Sequence, residues 1–334
     1  MTQSAYASLA ARSTGFQSGI AQAVQLNKVW RQSSIMASMI GQFITDETGR
    51  NVVDDGTIPT IEANFIAAIQ AVTRKKVVGN HLNFYVSATG NNANDGLSPA
   101  TAVRTIQQAA TLSYWGYDFN NYNAIINIGP GTYTDPVFVQ GMPLGCGQLI
   151  FQGNPSNPAS VVVNVPNGIA FSISLGVFCT ISGMTISASG SSNLFVSQGY
   201  GIAANQAWVN VDHIVMGSCQ TSQWNSWNAG VITANGAPVT FSGSSGIGAG
   251  TNLGSQIWLV NSTVTFAPGT SYTTGWAYAQ GGATISLNNT SYTGSFTGTR
   301  FLASICGIIG VAGAGINVIP GTLPGITHPL GWYG

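Results

Sequence analysis

Asp212 and His213 stand next to each other in the run VNVDHIVMG, and a carboxylate beside an imidazole has the parts for acid–base work. Cleavage of a glycosidic bond asks for more: two carboxyl groups roughly 5 to 10 Å apart. Beyond Asp135 the chain offers one carboxylate, Asp212, and one cation, Arg300. Asp118 and Asp135 fall earlier, about five rungs from Asp212 if the chain coils as argued below. At about 4.8 Å per rung that is roughly 24 Å, too far to cooperate within one chain. The expected roles are therefore structural, with Asp212 bonding backbone at a turn and His213 at a strand edge. No catalytic residue is assigned, although a carboxylate pair across a subunit interface stays open. The signatures GxSxG, HExxH and GxxxxGK[ST] are all missing. The NDG at Asn94 to Gly96 lacks the acidic ligands that complete a calcium loop, so a turn suffices. Cys146, Cys179, Cys219 and Cys306 are scattered and read as buried free thiols. No metal or cofactor is expected.

Binding chemistry is better represented. QTSQWNSWNAG places Trp224 and Trp227 among Gln223, Asn225 and Asn228, and TSYTTGWAYAQGG offers Tyr272, Trp276 and Tyr278. Indole and phenol rings stack on the apolar face of a sugar, and amides bond its hydroxyls. SYWGYDFNNYN, residues 113–123, is a third patch. The competing assignment for each is aromatic filling of a core or of a subunit interface.

These residues sit in a chain with an uneven distribution of charge. Only 5% of the 334 residues are charged and the net charge is zero. Nothing in that balance points to nucleic acid or an anionic membrane as partner. Of 18 charged residues, 16 lie at or before Asp135. Hydroxyls and amides replace them, a surface suited to neutral polar partners and also to stiff β-rich structural proteins.

The elements that position them fall into three regions. Residues 1–79 read as helical. Ile35, Met36, Met39, Ile40, Phe43 and Ile44 recur at helical spacing, and Gly49 and Asn51 supply stop signals. A second helix begins near Pro59, with Ile61, Phe65, Ile66, Ile69 and Val72 on one face and Arg74, Lys75 and Lys76 in its last turn. Two short amphipathic helices bury little alone, so they pack on the body or associate with copies of themselves. From Ala124, short β-rich runs alternate with Gly, Asn, Ser and Pro. TISGMTI, VNVDHIVM, WLVNSTVTF and SLNNTSYT share a strand, a small polar break and a second strand, repeating every 20 to 30 residues or so. A solenoid over residues 80–300 follows, with an antiparallel sandwich as the alternative. Residues 301–334 are apolar and Gly-rich. Leu302 to Ile319 carries no charge, but its glycines and missing anchors favour a buried strand pair or a subunit interface over a membrane span. The N-terminus shows no signal-peptide pattern, which predicts synthesis in a reducing cytoplasm without classical export.

A solenoid exposes unpaired backbone and open core at its ends, so it needs a cap. FYVSATGNNANDGLSPATAVRTIQQAA, Phe84 to Ala110, supplies a strand at Phe84–Val86, a crossing loop over Asn91 to Pro99, and a helix over Ala102 to Leu112. Val103, Ile106, Ala110 and Leu112 would face the core. This segment resembles the entry of right-handed parallel β-helix proteins of the pectin-lyase-like class, and GPGTYTDPVFV at Gly129 to Val139 is similar to their next recurring piece. Leu26 to Gly56 resembles an N-terminal region of bacteriophage and prophage tail fibres, and INVIPGTLPGITHPLGWYG is similar to their C-terminal tails, with His328-Pro329-Leu330 interrupting the usual small-residue run. The resemblance implies a mainly β fold: a right-handed parallel β-helix with a short helical N-terminal region and a capping helix. It implies a homotrimeric phage tail fibre or tailspike in the virion, attached to other tail or baseplate proteins and binding a host surface polysaccharide or lipopolysaccharide without cleaving it. A depolymerase with an inter-subunit site and a purely structural tail component are the alternatives. The lyases of that class need clustered carboxylates for calcium and a Lys or Arg base, which these coils do not supply.

Overall fold

The structure is a computed structural model; it describes residues 2–8, 23–52, 58–73, 75–189 and 199–334. The chain divides into two compact units, Met1–Lys75 and Lys76–Gly334.

In the first unit, α1 spans Gln3–Ala7, α2 spans Ala23–Thr48 and α3 spans Ile58–Thr73. Gly49 ends α2 in the left-handed region at φ 67°, where its N–H closes back on the Thr45 carbonyl at 2.9 Å. Pro59 falls in the first turn of α3, where its missing N–H costs nothing. Phe43 meets Phe65 edge to face at 6.1 Å, and Ile44 and Ala68 are fully buried. The apolar stripe of α2 is thus divided. Its C-terminal part packs on α3, while Ile35, Met36 and Met39 stay exposed. The basic run expected in the last turn of α3 lies elsewhere. The helix stops at Thr73, Lys76 opens a strand with Val77, and Arg74 lies outside the described residues.

The second unit is a parallel β-solenoid with three long sheets. The first sheet has ten strands: Leu82–Val86, Ala124–Ile128, Leu149–Gln152, Phe178–Ser182, Trp208–Asp212, Val231–Thr233, Gln256–Trp258, Thr284–Ser286, Ile308–Gly310 and Trp332–Tyr333. The second has seven, from Gly131–Tyr133 to Ser291–Thr293, and the third has ten, from Val137–Gln140 to Gly321–Leu323. All main pairings are parallel and join one coil to the next, which excludes the antiparallel sandwich.

The repeated polar break now has a cause. It is the corner between the first and second sheets, where one residue per coil takes a left-handed conformation: Gly183, His213, Gly236, Asn261 and Asn289. Glycine and asparagine tolerate that region, so the breaks read as small and polar. Asn289 donates from Nδ2 to Asn261 Oδ1 at 2.8 Å, linking two corners along the stack.

The core follows from period-two alternation in register. Cys179, Val209, Ile232, Ile257, Ile285 and Ile309 occupy one inward column of the first sheet, all fully buried. Phe241, Phe266, Trp276, Tyr292 and Phe296 pack as an interior aromatic cluster, with Phe266 at 4.8 Å from Phe296 and 5.4 Å from Trp276. Gln223 is buried among them and satisfied. Its Nε2 donates to the carbonyls of Gly217 and Gly243 at 2.9 Å, and its Oε1 accepts the Tyr272 hydroxyl at 2.8 Å.

The entry segment covers the edge of the first strand. Tyr85 N–H donates to Gly96 O, Val103 N–H to Tyr85 O, and Ser87 N–H to Val103 O. The strand runs Leu82–Val86, two residues longer than expected at its start. The capping helix α4 is Ile106–Trp115, shifted along the chain from the expected Ala102 to Leu112 because Val103 bridges to Val86 and Thr105 is the N-cap, accepting from Gln108 N–H. Ile106, Ala109 and Ala110 close the core. Asp95 accepts from Leu97 N–H at 3.0 Å, and its bonds to Thr101 and Leu97 hold its carboxyl below the usual range, so the NDG is a turn.

At the other end, pairing continues past residue 300. Phe301–Ala303 and Ile308–Gly310 do not pair with each other; each joins the neighbouring coils, so Leu302 to Ile319 is part of one more rung. No helix among the described residues is long and apolar enough to cross a membrane. Tyr333 stacks on Phe301 at 3.8 Å and 7°.

Candidate functional site

Three of the aromatic candidates are interior. Trp224 and Trp276 are fully buried and Tyr272 is 2% exposed, with its phenol pushed well up by burial. Their strands turn them into the lumen, where no sugar reaches them. Tyr278, Asn225, Trp227 and Asn228 lie outside, on or beside the third sheet. Trp227 is half-buried against Tyr200 at 5.8 Å, and the exposed Asn228 donates to Asn205 Oδ1 at 3.2 Å from a left-handed turn. Asn225 and Tyr278 share an outward column but are separated by Gly250, so Tyr278 stands two rungs from the Trp227 group and bonds Gln280 instead. The 113–123 patch is mostly structural in its aromatics: Phe119 is buried, Tyr117 meets Phe84 at 5.8 Å, and Trp115 is well exposed, as are Asn120 and Asn121.

The outer face of the first sheet carries a stronger arrangement that the sequence reading passed over. Phe178 and Trp208 are adjacent in one outward column, 40% and 39% exposed. Trp258 stands two rungs beyond Trp208 in the next column, and the two indoles meet edge to face at 5.2 Å across Val231–Thr233. Trp208 Nε1 donates to Asn210 Oδ1 at 2.9 Å, fixing one ring. Gln148 Nε2 donates to Thr180 Oγ1 at 2.9 Å on the same face. The signal was present in the strings AWVNVD and QIWLVN. Val209, Val211, Ile257 and Leu259 face inward, so alternation sends Trp208 and Trp258 outward. What a lone strand cannot say is that these two indoles meet; register decides that.

At the far end of these strands a polar column runs Tyr85, Asn127, Gln152, Ser182, Asp212, one residue per rung. Asp212 does not bond backbone at its turn as expected. Its Oδ1 lies 2.6 Å from His213 Nδ1, and Ser182 Oγ is 3.5 Å from its Oδ2. His213 is in the left-handed corner at φ 49° rather than at a strand edge. The carboxylate stands between hydroxyl and imidazole. A serine nucleophile needs the imidazole in that middle place, so this trio is not a hydrolase triad. Asp135 is nearer to Asp212 than expected. The strands flanking them are three steps apart in the second sheet, about 14 Å along the stack rather than 24 Å. That separation exceeds the range of either hydrolytic geometry.

The thiols divide by environment. Cys179 and Cys219 are buried, and burial pushes Cys219 up to about 12 and Cys179 higher; Cys146 is half-buried and Cys306 exposed, against the expectation of four buried thiols. All four are free, and no His, Cys, Asp or Glu cluster among the described residues is arranged to hold a metal ion.

Comparison with family models, curated proteins and solved structures gave no match.

Proposed function

We propose that this protein is a bacteriophage tail fibre or spike that binds a host surface glycan without cleaving it. The observation that carries the reading is the outward-facing pair of exposed Trp208 and half-buried Trp258 with Asn210, set on a sheet whose backbone is locked by parallel pairing. Rigid indoles at a polar, charge-poor face supply stacking at low entropic cost. The likeness of the Leu26 to Gly56 region and of the C-terminal tail to phage fibres gives the biological setting. The exposed Ile35, Met36 and Met39 of α2 provide apolar surface for attachment to tail or baseplate proteins or for a homotrimer.

The test uses purified full-length protein and surface polysaccharide or lipopolysaccharide from the host. Retention on the glycan with no new reducing ends or unsaturated products supports the reading. Trp208→Ala with Trp258→Ala should abolish retention while leaving the β-rich circular dichroism intact. Product release would sink the non-enzymatic assignment and return attention to an inter-subunit carboxylate pair. Equal retention by the double variant would remove this face from consideration.

A further inference from the structure

The first sheet meets the cap loop in a groove of about 330 Å³. Its polar lining comes from Tyr85, Ser87, Asn127 and Gln152, and Pro99 and Ala102 wall one end. We propose that this groove holds the terminal residue of a neutral glycan, whose chain then runs along the solenoid axis past the exposed Gln152 toward Asp212. The proposal rests on the glycan-binding reading above and names the ligand class and its orientation.

Four observations lead there. First, the groove is closed on the cap side by a stiff wall. Ser98 and Thr101 form a capping box around the Pro99–Thr101 turn, and Gly96 and Val103 are bonded to the first strand. A wall that is already ordered costs little entropy when a ligand arrives. On this proposal the wall formed by Pro99 and Ala102 meets the end of the glycan, so the groove takes a chain end. Second, the chemistry is that of hydroxyl recognition. Asn127 Nδ2 is committed to Asn83 Oδ1 at 2.9 Å, which aims its Oδ1 as an acceptor, and Gln152 is exposed with a carboxamide that both donates and accepts. Third, no lining residue is charged. Beyond Arg104 the chain has one cation, Arg300, and its Nη1 is bonded to Asn317 Oδ1 at 2.9 Å. A uronate, sialate or phosphate would lose its hydration with no cation to replace it. Fourth, the column from Asn127 through Gln152 to Asp212 advances about 4.8 Å per rung, close to the length of one sugar in an extended chain, with the buried Ser182 leaving one rung between Gln152 and Asp212 without a side-chain contact.

The experiment measures binding of the full-length protein to immobilised neutral O-polysaccharides and to uronate-bearing capsular polysaccharides, with Gln152→Ala, Gln152→Trp and Trp208→Ala. Gln152 is an outward, exposed side chain, and circular dichroism checks that each variant is folded. The expected result is retention on a neutral glycan only, weakened about tenfold by Gln152→Ala and more by the groove-filling Gln152→Trp. At equal mass, the same glycan cut to short chains should compete in proportion to its number of ends. Wild-type affinity in both Gln152 variants, alongside loss in Trp208→Ala, would overturn the groove and leave the glycan-binding function standing. Competition independent of chain length would overturn end recognition. Retention on acidic glycans would overturn the neutral class. No retention on either class would overturn the groove and the function together.

Discussion

Two tryptophans that look alike in the sequence should respond in opposite ways to the same substitution. Trp276 is fully buried and its ring meets Phe241, Phe266, Tyr292 and Phe296 within 5.4 to 6.4 Å. Trp276→Ala leaves a cavity that neighbouring rungs cannot close, because their backbones are tied by parallel pairing. The expected cost is about 3–5 kcal/mol. Its Nε1 has no hydrogen-bond partner among the described residues, so Trp276→Phe also removes a buried unsatisfied donor and should cost only about 1–2 kcal/mol. Trp208 loses one edge-to-face contact and one partly exposed hydrogen bond, worth about 1–2 kcal/mol together. Unfolding in guanidinium, followed by circular dichroism, ranks the three variants, and retention on host glycan is measured on those that remain folded. Trp276→Ala should unfold far faster than wild type. Trp208→Ala should fold and lose glycan. A Trp276→Ala protein of normal stability that had lost binding would refute the inward register. A Trp208→Ala protein as unstable as Trp276→Ala would refute the outward one.

Other outcomes follow from the same structure. Gln223→Leu strips the Tyr272 hydroxyl and two carbonyls of their partner and should cost about 2–4 kcal/mol by urea unfolding, with Tyr272→Phe in the same chain recovering part of it. Burial pushes the Tyr114 and Tyr133 phenols and the Cys219 thiol up to about 12, so these groups stay neutral in the folded state while the unfolded chain ionises them. Stability is therefore complete below about pH 9 and falls as pH rises toward about 12, by roughly 1.4 kcal/mol per pH unit for each group that ionises only on unfolding. A urea midpoint that did not fall across that window would contradict the burial of these groups. Ile305 takes φ 48°, a region costly for a β-branched side chain, and is 63% exposed. Ile305→Asn should raise the unfolding midpoint by an amount equivalent to about 1 kcal/mol. Glycan affinity should change by no more than about twofold between roughly 50 and 500 mM salt, since no cation pairs with the ligand; a steep salt slope in the binding isotherm would oppose a neutral ligand.

The sequence by itself determined the coil. Short β-rich runs broken by small polar residues specify strands and left-handed corners, because glycine, asparagine and their like are what those corners accept. The disappearance of charge after Asp135 determined a surface of hydroxyls and amides. The run from Phe84 to Ala110 determined a cap, since its loop and helix have bonds to give to an exposed edge. The tertiary structure decided which side chains share a site. Trp224 and Trp208 both sit in strands among polar neighbours, yet one fills the lumen and the other stands outside. Alternation along a strand states only that successive residues point opposite ways. Which side is inward, and which residue of the next coil lies above, is fixed by register across 20 to 30 residues of intervening chain. The meeting of Trp208 with Trp258, and the column from Tyr85 to Asp212, exist only once the coils are stacked.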